Sequence, residues 1–193
     1  MNVHTASQPD KKIQILETAL ALFSTQGLQQ TSMSQVSKES GVAVGTMYHH
    51  FKSKGELIEG IFLHINQALG EAVEFTPEEQ QLSVKERFSL ILKKGYQFYV
   101  SHPNHFLFHD THNYSPLISQ DVRDQSRSYY PSFFDLLLEG IDQGIIVNMH
   151  PILLIRWIYN AMVSIVQIKL NHEIEVTEDM LDKTIEMTWK GLT

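Results

Sequence analysis

The segment Val44-Gly45-Thr46-Met47-Tyr48-His49-His50 gathers a hydroxyl, a phenol and two imidazoles within two turns of a helix, behind a glycine. These groups donate and accept hydrogen bonds, and none of them is an activated nucleophile. A glycine near a helix start costs roughly 1 kcal/mol against alanine. Its use there implies a place where another backbone or a ligand comes close. Ala43, just before the segment, has no side chain able to cap, so the first N–H groups are left open to an anion such as a phosphate. The plainer alternative is a short surface helix in an all-helical protein.

Other groupings are weaker. His102, His105, His109 and His112 fall at spacings of 3, 4 and 3, with Asp110 alongside. On a helix His105, His109 and His112 share a face and are the candidate metal ligands, since imidazoles at i and i+4 can hold zinc. No Glu sits between two of them as a metalloprotease helix needs, and interleaving with Phe106 and Phe108 also suits hydrogen-bonded packing. Arg156, Asn160, Ser164 and Gln167 form a polar stripe on an otherwise apolar helix, either a solvated face or part of a cavity lining. Nothing resembles a nucleophile elbow, a phosphate loop or a dinucleotide fingerprint, and no cofactor is expected. The chain does not read as an enzyme.

These groups need elements to position them. Ser32-Met33-Ser34-Gln35 has capping-box form, and Gly41 stands where a helix ends left-handed. Two short helices joined by a turn containing glycine make a helix-turn-helix, whose second helix enters the DNA major groove. Ahead of it, Ile13, Leu16, Leu20 and Phe23 recur at helical spacing up to Gly27, with Ser7-Gln8-Pro9-Asp10 as the expected cap and residues 1–9 as an arm. Ser53-Lys54-Gly55-Glu56 opens a helix of about twenty residues, ~30 Å long, a natural lever. Phe75 to Gln81 is a polar break. Further helices are expected from Val84 to His102, from Asn104 to about Tyr114, from Ser119 through Gly144 with a kink or break at Pro131, over 152–170, and after Thr177. The fold class is all-α, in three parts: 1–52, 53–73 and 74–193.

Charge divides along the same line. Residues 1–60 carry five lysines and five acids, whereas the rest carries ten basic and seventeen acidic residues, for a net charge of −7 overall. That disfavours long-range, non-specific attraction to nucleic acid but leaves a local contact open. Absent cysteines remove any disulfide framework. No signal peptide is evident before Lys11. The run Ile152 to Leu170 includes Arg156, Asn160, Gln167 and Lys169, so a buried helix is expected rather than a membrane span.

The string Gly41-Val42-Ala43-Val44-Gly45-Thr46-Met47-Tyr48-His49-His50-Phe51-Lys52-Ser53-Lys54, followed by Glu56-Leu57, resembles the DNA-binding signature of the tetracycline-repressor (TetR) family of bacterial regulators. The likeness covers roughly residues 10 to 70. Ala43, Met47 and Ser37 stand where the family has Ser, Leu or Ile, and Ala; the last two read as packing changes. The resemblance implies a three-helix DNA-binding head on a helical body that binds ligand and dimerises. It assigns Val44, Gly45 and His49 to base edges and Thr31, Thr46, Tyr48 and Lys54 to phosphates, with Ser32 and Ala43 beside them. The expected partners are a double-stranded DNA operator, a small-molecule effector and a second copy of the chain, in the cytoplasm and away from any membrane. Phe88, Tyr96, Tyr99, Phe106, His109, Phe134, Trp157, Asn160 and Ser164 are the expected ligand-site residues. Ile158, Met162, Val166 and Leu170, with Met180, Thr184 and Met187, are the expected dimer seam. The alternative function is a metal sensor or metal-dependent protein built on His102–His112.

Overall fold

The computed structural model describes residues 10–193, so Ser7–Pro9 and the expected arm lie outside the described residues. Among the described residues there are ten α-helices and one short 3-10 turn, and no strand. They are α1 (Lys11–Gln26), α2 (Met33–Ser40), α3 (Val44–His50), α4 (Lys54–Val73), α5 (Val84–Ser101), α6 (Pro103–His112), α7 (Gln120–Arg127), α8 (Pro131–Asp142), α9 (Pro151–Leu170) and α10 (Glu178–Lys190). Asp10 caps α1, its carboxylate accepting from the Lys12 N–H at 2.8 Å. The expected long helix after Ser119 is two helices. Pro131 has no N–H to offer a preceding turn, and it opens α8 at the first helical position.

Two compact units result among the described residues: 10–65 with 107–122, and 66–106 with 123–193. The first is built on Ile15, Leu16, Leu20 and Phe23 of α1, packed with Val36, Met47, Phe51, Leu57, Ile61 and Phe62. Phe108 and Ile118 are buried in the same cluster, which is why 107–122 joins this unit although the sequence placed it in the body. Glu59 on α4 also accepts the Ser119 N–H at 2.9 Å there.

The second unit closes around Phe88, Tyr99, Leu136, Leu137, Ile158 and Val166. Ser83 and Glu86 make a reciprocal capping box at the start of α5. Arg87 on α5 gives two hydrogen bonds of 2.6 Å to the Glu139 carboxylate on α8. α9 is long and apolar enough to cross a membrane by length and composition, but it turns Leu154, Ile158, Val163 and Val166 into this core. Its other face carries exposed Leu153 and Trp157.

Candidate nucleic-acid interface

The two short helices are set by local chemistry. Ser32 accepts the Gln35 N–H at 3.1 Å to start α2, and Gly41 ends it in the left-handed region at φ 67°. α3 follows after Val42 and Ala43 without a side-chain cap. Met47, 0% exposed, and buried Phe51 fix α3 to the core of its unit. Helical spacing then turns the opposite side outward: Val44 is 48% and Tyr48 46% exposed, with Ala43, Gly45 and His49 also exposed and Thr46 half-buried. A Cβ built on Gly45 meets no atom within 4 Å. The protein itself therefore does not require glycine at this position.

At the flanks the structure changes the assignment. Thr31 is 1% exposed and its hydroxyl donates to the Gly27 carbonyl at 3.1 Å, so its side chain braces the α1–α2 loop. Ser32 stays exposed. Lys54 donates to the Leu28 carbonyl and lies 5.9 Å from the Phe23 ring centre, leaving two of its three N–H donors for other partners.

In the second unit the expected pocket residues separate. Phe88, Tyr96, Tyr99 and Phe106 are buried together, and Phe134 is half-buried. Trp157, at 59% exposure, Asn160 and Ser164 are exposed, so this part of α9 faces outward from its own unit. His109 belongs to the first unit, where burial pushes its imidazole down to about 4 and its ring meets the edge of Phe62 at 5.4 Å. A surface groove of about 350 Å³ runs between α5 and the start of α10, lined by Tyr96, Gln97, Val176 and Leu181 beside the Lys93–Asp182 ion pair.

The expected seam residues divide between core and surface within this unit. Ile158 and Val166 are core residues, and Met162 lies over Gly95 of α5, with its sulfur 3.0 Å from where a Cβ would stand there. Leu170 is half-buried and packed on the same core. The faces left open are Leu153 and Trp157 on α9 and Met180 and Met187 on α10, Met187 being 73% exposed. Thr184 lies half-buried between these two methionines and donates to the Met180 carbonyl at 2.8 Å.

Residues 15–61 match the family model for bacterial regulatory proteins of the tetR family, and residues 62–193 match that for the tetracyclin repressor-like C-terminal domain. The chain belongs to the tetR family. It is a DNA-binding transcriptional regulator with a helix-turn-helix head and a helical body. A fatty acid metabolism regulator protein of Bacillus subtilis is 24% identical over 138 residues, 69% of this chain and 70% of that protein. A tetR family transcription regulator of Shewanella sp. PV-4 has a crystal structure 25% identical, covering 95% of this chain and 98% of that one, at a TM-score of 0.85. FadR from Bacillus subtilis, solved in complex with stearoyl-CoA, shares the fold at a TM-score of 0.73 and 20% identity, over 94% of this chain and 99% of that one.

The histidines from 102 to 112 pack mainly against aromatic rings. His102 stacks on Phe98 at 4.7 Å and meets the edge of His105 at 5.2 Å, while His112 lies against Phe108 at 4.7 Å. Among the described residues, His105, His109 and His112 form no convergent donor set. Sequence reasoning missed a polar zip along α4. Tyr130 donates to Asn66 at 2.6 Å, a Cβ at Gly70 would stand 2.1 Å from the Tyr129 carbonyl oxygen, and Ser132 donates to Glu74. Burial and neighbouring Tyr159 push the Tyr130 phenol well above its ordinary value. The signal was present as polar or small residues at 66, 70 and 74, spaced by four.

Proposed function

We propose that the regulator is a homodimeric repressor that holds a two-fold operator and is released by a small molecule bound in the body, residues 66–106 with 123–193. The observation that carries this is α3, anchored by Met47 and Phe51 on one side and left open along Val44, Gly45, Tyr48 and His49 on the other. Val44, Gly45 and His49 take base edges, and Thr46, Tyr48 and Lys54 take phosphates, with Ser32 and Ala43 beside them. One such helix reaches few base pairs, so a second copy supplies the other half-site. The open apolar faces of α9 and α10, around Leu153, Trp157, Met180 and Met187, support pairing there. The site of action is the cytoplasm.

The effector class is an acyl thioester. Two likenesses support it, one to the fatty acid regulator and one to the fold that holds stearoyl-CoA. A body core rich in Phe88, Tyr99 and Phe106 suits an apolar tail. Release follows a two-state pivot, in which effector favours a pose of α4 that moves the paired recognition helices off the ~34 Å spacing of one DNA turn. The zip at Asn66, Gly70 and Glu74 ties the last turns of α4 to the α7–α8 junction and gives the body a hold on that helix. Titrating stearoyl-CoA into the operator complex tests this. Release with reciprocal loss of affinity is expected; no release removes the acyl class, and equal effector affinity for free and bound protein removes the pivot.

A further inference from the structure

We propose that Ser37, Ser40 and Gln14 are positioning residues for the recognition helix, acting through the backbone of the α2–α3 turn. The inference rests on α3 reading DNA. Ser37, which the sequence marks as a packing change, is a hydrogen-bonding group: its hydroxyl donates to the Val42 carbonyl at 2.6 Å in a buried setting. Ser40 donates to the Ser37 carbonyl at 3.2 Å and accepts the Val42 N–H at 3.4 Å. Both polar groups of Val42, the buried residue between the two helices, are thus held by serines of α2. From α1, the Gln14 side-chain amide donates to the Ser40 carbonyl at 2.7 Å, at the last residue of α2.

Buried hydroxyls commonly serve stability alone. Their location gives these a second role. Val42 lies two residues before Val44, and α3 has seven residues, about 10 Å of helix. So short a helix has little core of its own to fix its tilt, which passes to Met47, Phe51 and the turn. Hydrogen bonds to base edges work over only a few tenths of an ångström around ~2.9 Å. A turn free to rock would blur that reading while leaving the weaker demands of phosphate contact satisfied.

The test compares the full-length protein with Ser37→Ala, Gln14→Ala and the double variant. The probes are the duplex that wild-type protein enriches from a random-sequence library and a scrambled duplex of equal length. Circular dichroism confirms that each variant is folded at the assay temperature. Affinity for the enriched duplex should fall about tenfold in Ser37→Ala, the effect of a poorly read base pair, with scrambled-duplex affinity within about twofold and the salt slope unchanged. Gln14→Ala should move the same ratio in the same direction, and the double variant should fall short of additivity because both act on one turn. If Ser37→Ala does not fold, Gln14→Ala decides alone, since its side chain holds the Ser40 carbonyl from a neighbouring helix. A lowered melting temperature with an unchanged affinity ratio overturns the proposal. Failure of wild-type protein to enrich any duplex overturns the DNA reading, and this inference with it.

Discussion

A methyl group on Gly45 would meet no atom of the protein within 4 Å, and it would raise helix propensity by roughly 1 kcal/mol. Gly45→Ala should therefore hold or raise the melting temperature while weakening operator binding tenfold or more, to be read by calorimetry and fluorescence anisotropy on one preparation. Equal affinity would show that DNA does not approach this position. In the proposed assignment, Lys54→Ala removes one phosphate contact from each subunit. It should flatten the log–log salt dependence by roughly one to two units while leaving sequence preference intact. His109 gives the residue-scale pH dependence. Its imidazole titrates near 4 when folded against an ordinary 6.5, so the unfolded chain binds more protons between those values. Stability should fall as pH drops from 6.5 to 4, by an amount on the order of 3 kcal/mol, and His109→Gln should flatten that part of a denaturation profile. The raised-acidity carboxylates of Glu79 and Glu86, whose pKa values lie below the ordinary range through hydrogen bonds from Lys94 and Ser83, add their loss only at lower pH.

At the scale of the element, α3 and α4 divide the work. Met47→Ala would empty a fully buried site on α3 and cost about 2–5 kcal/mol, so operator binding should vanish before the body unfolds. Along α4, Tyr130→Phe removes the 2.6 Å hydrogen bond to buried Asn66 and should cost about 0.5–1.5 kcal/mol by urea titration. The head elements were legible in the sequence because their punctuation is local: Ser32, Gly41 and Ser53 act within four residues of themselves. Facing was less legible. Periodicity shows that α9 has two stripes but not which of them packs inward. Ile158 and Val166 went to the core, and Trp157, Asn160 and Ser164 went outside, because the partners that decide this lie on α5 and α10, far along the chain. Phe108 and Ile118 joined the first unit for the same non-local reason.

On the scale of the whole molecule, the account needs two copies. Met187 is 73% exposed and touches little of its own protomer, so Met187→Glu should leave the monomer folded while placing a charge in the apolar α9–α10 face. Sedimentation should then show monomers, and operator affinity should fall to that of a single half-site. In the proposed dimer, the body's net acidity disfavours DNA contact over the rest of the surface and concentrates binding on the two α3 helices. The most direct test is selection of duplexes from a random-sequence library by the purified wild-type protein. The account predicts enrichment of a two-fold symmetric sequence with half-sites about one helical turn apart, and enrichment lost in His49→Ala at the bases it reads. Recovery of no preferred sequence by a folded dimer would contradict it.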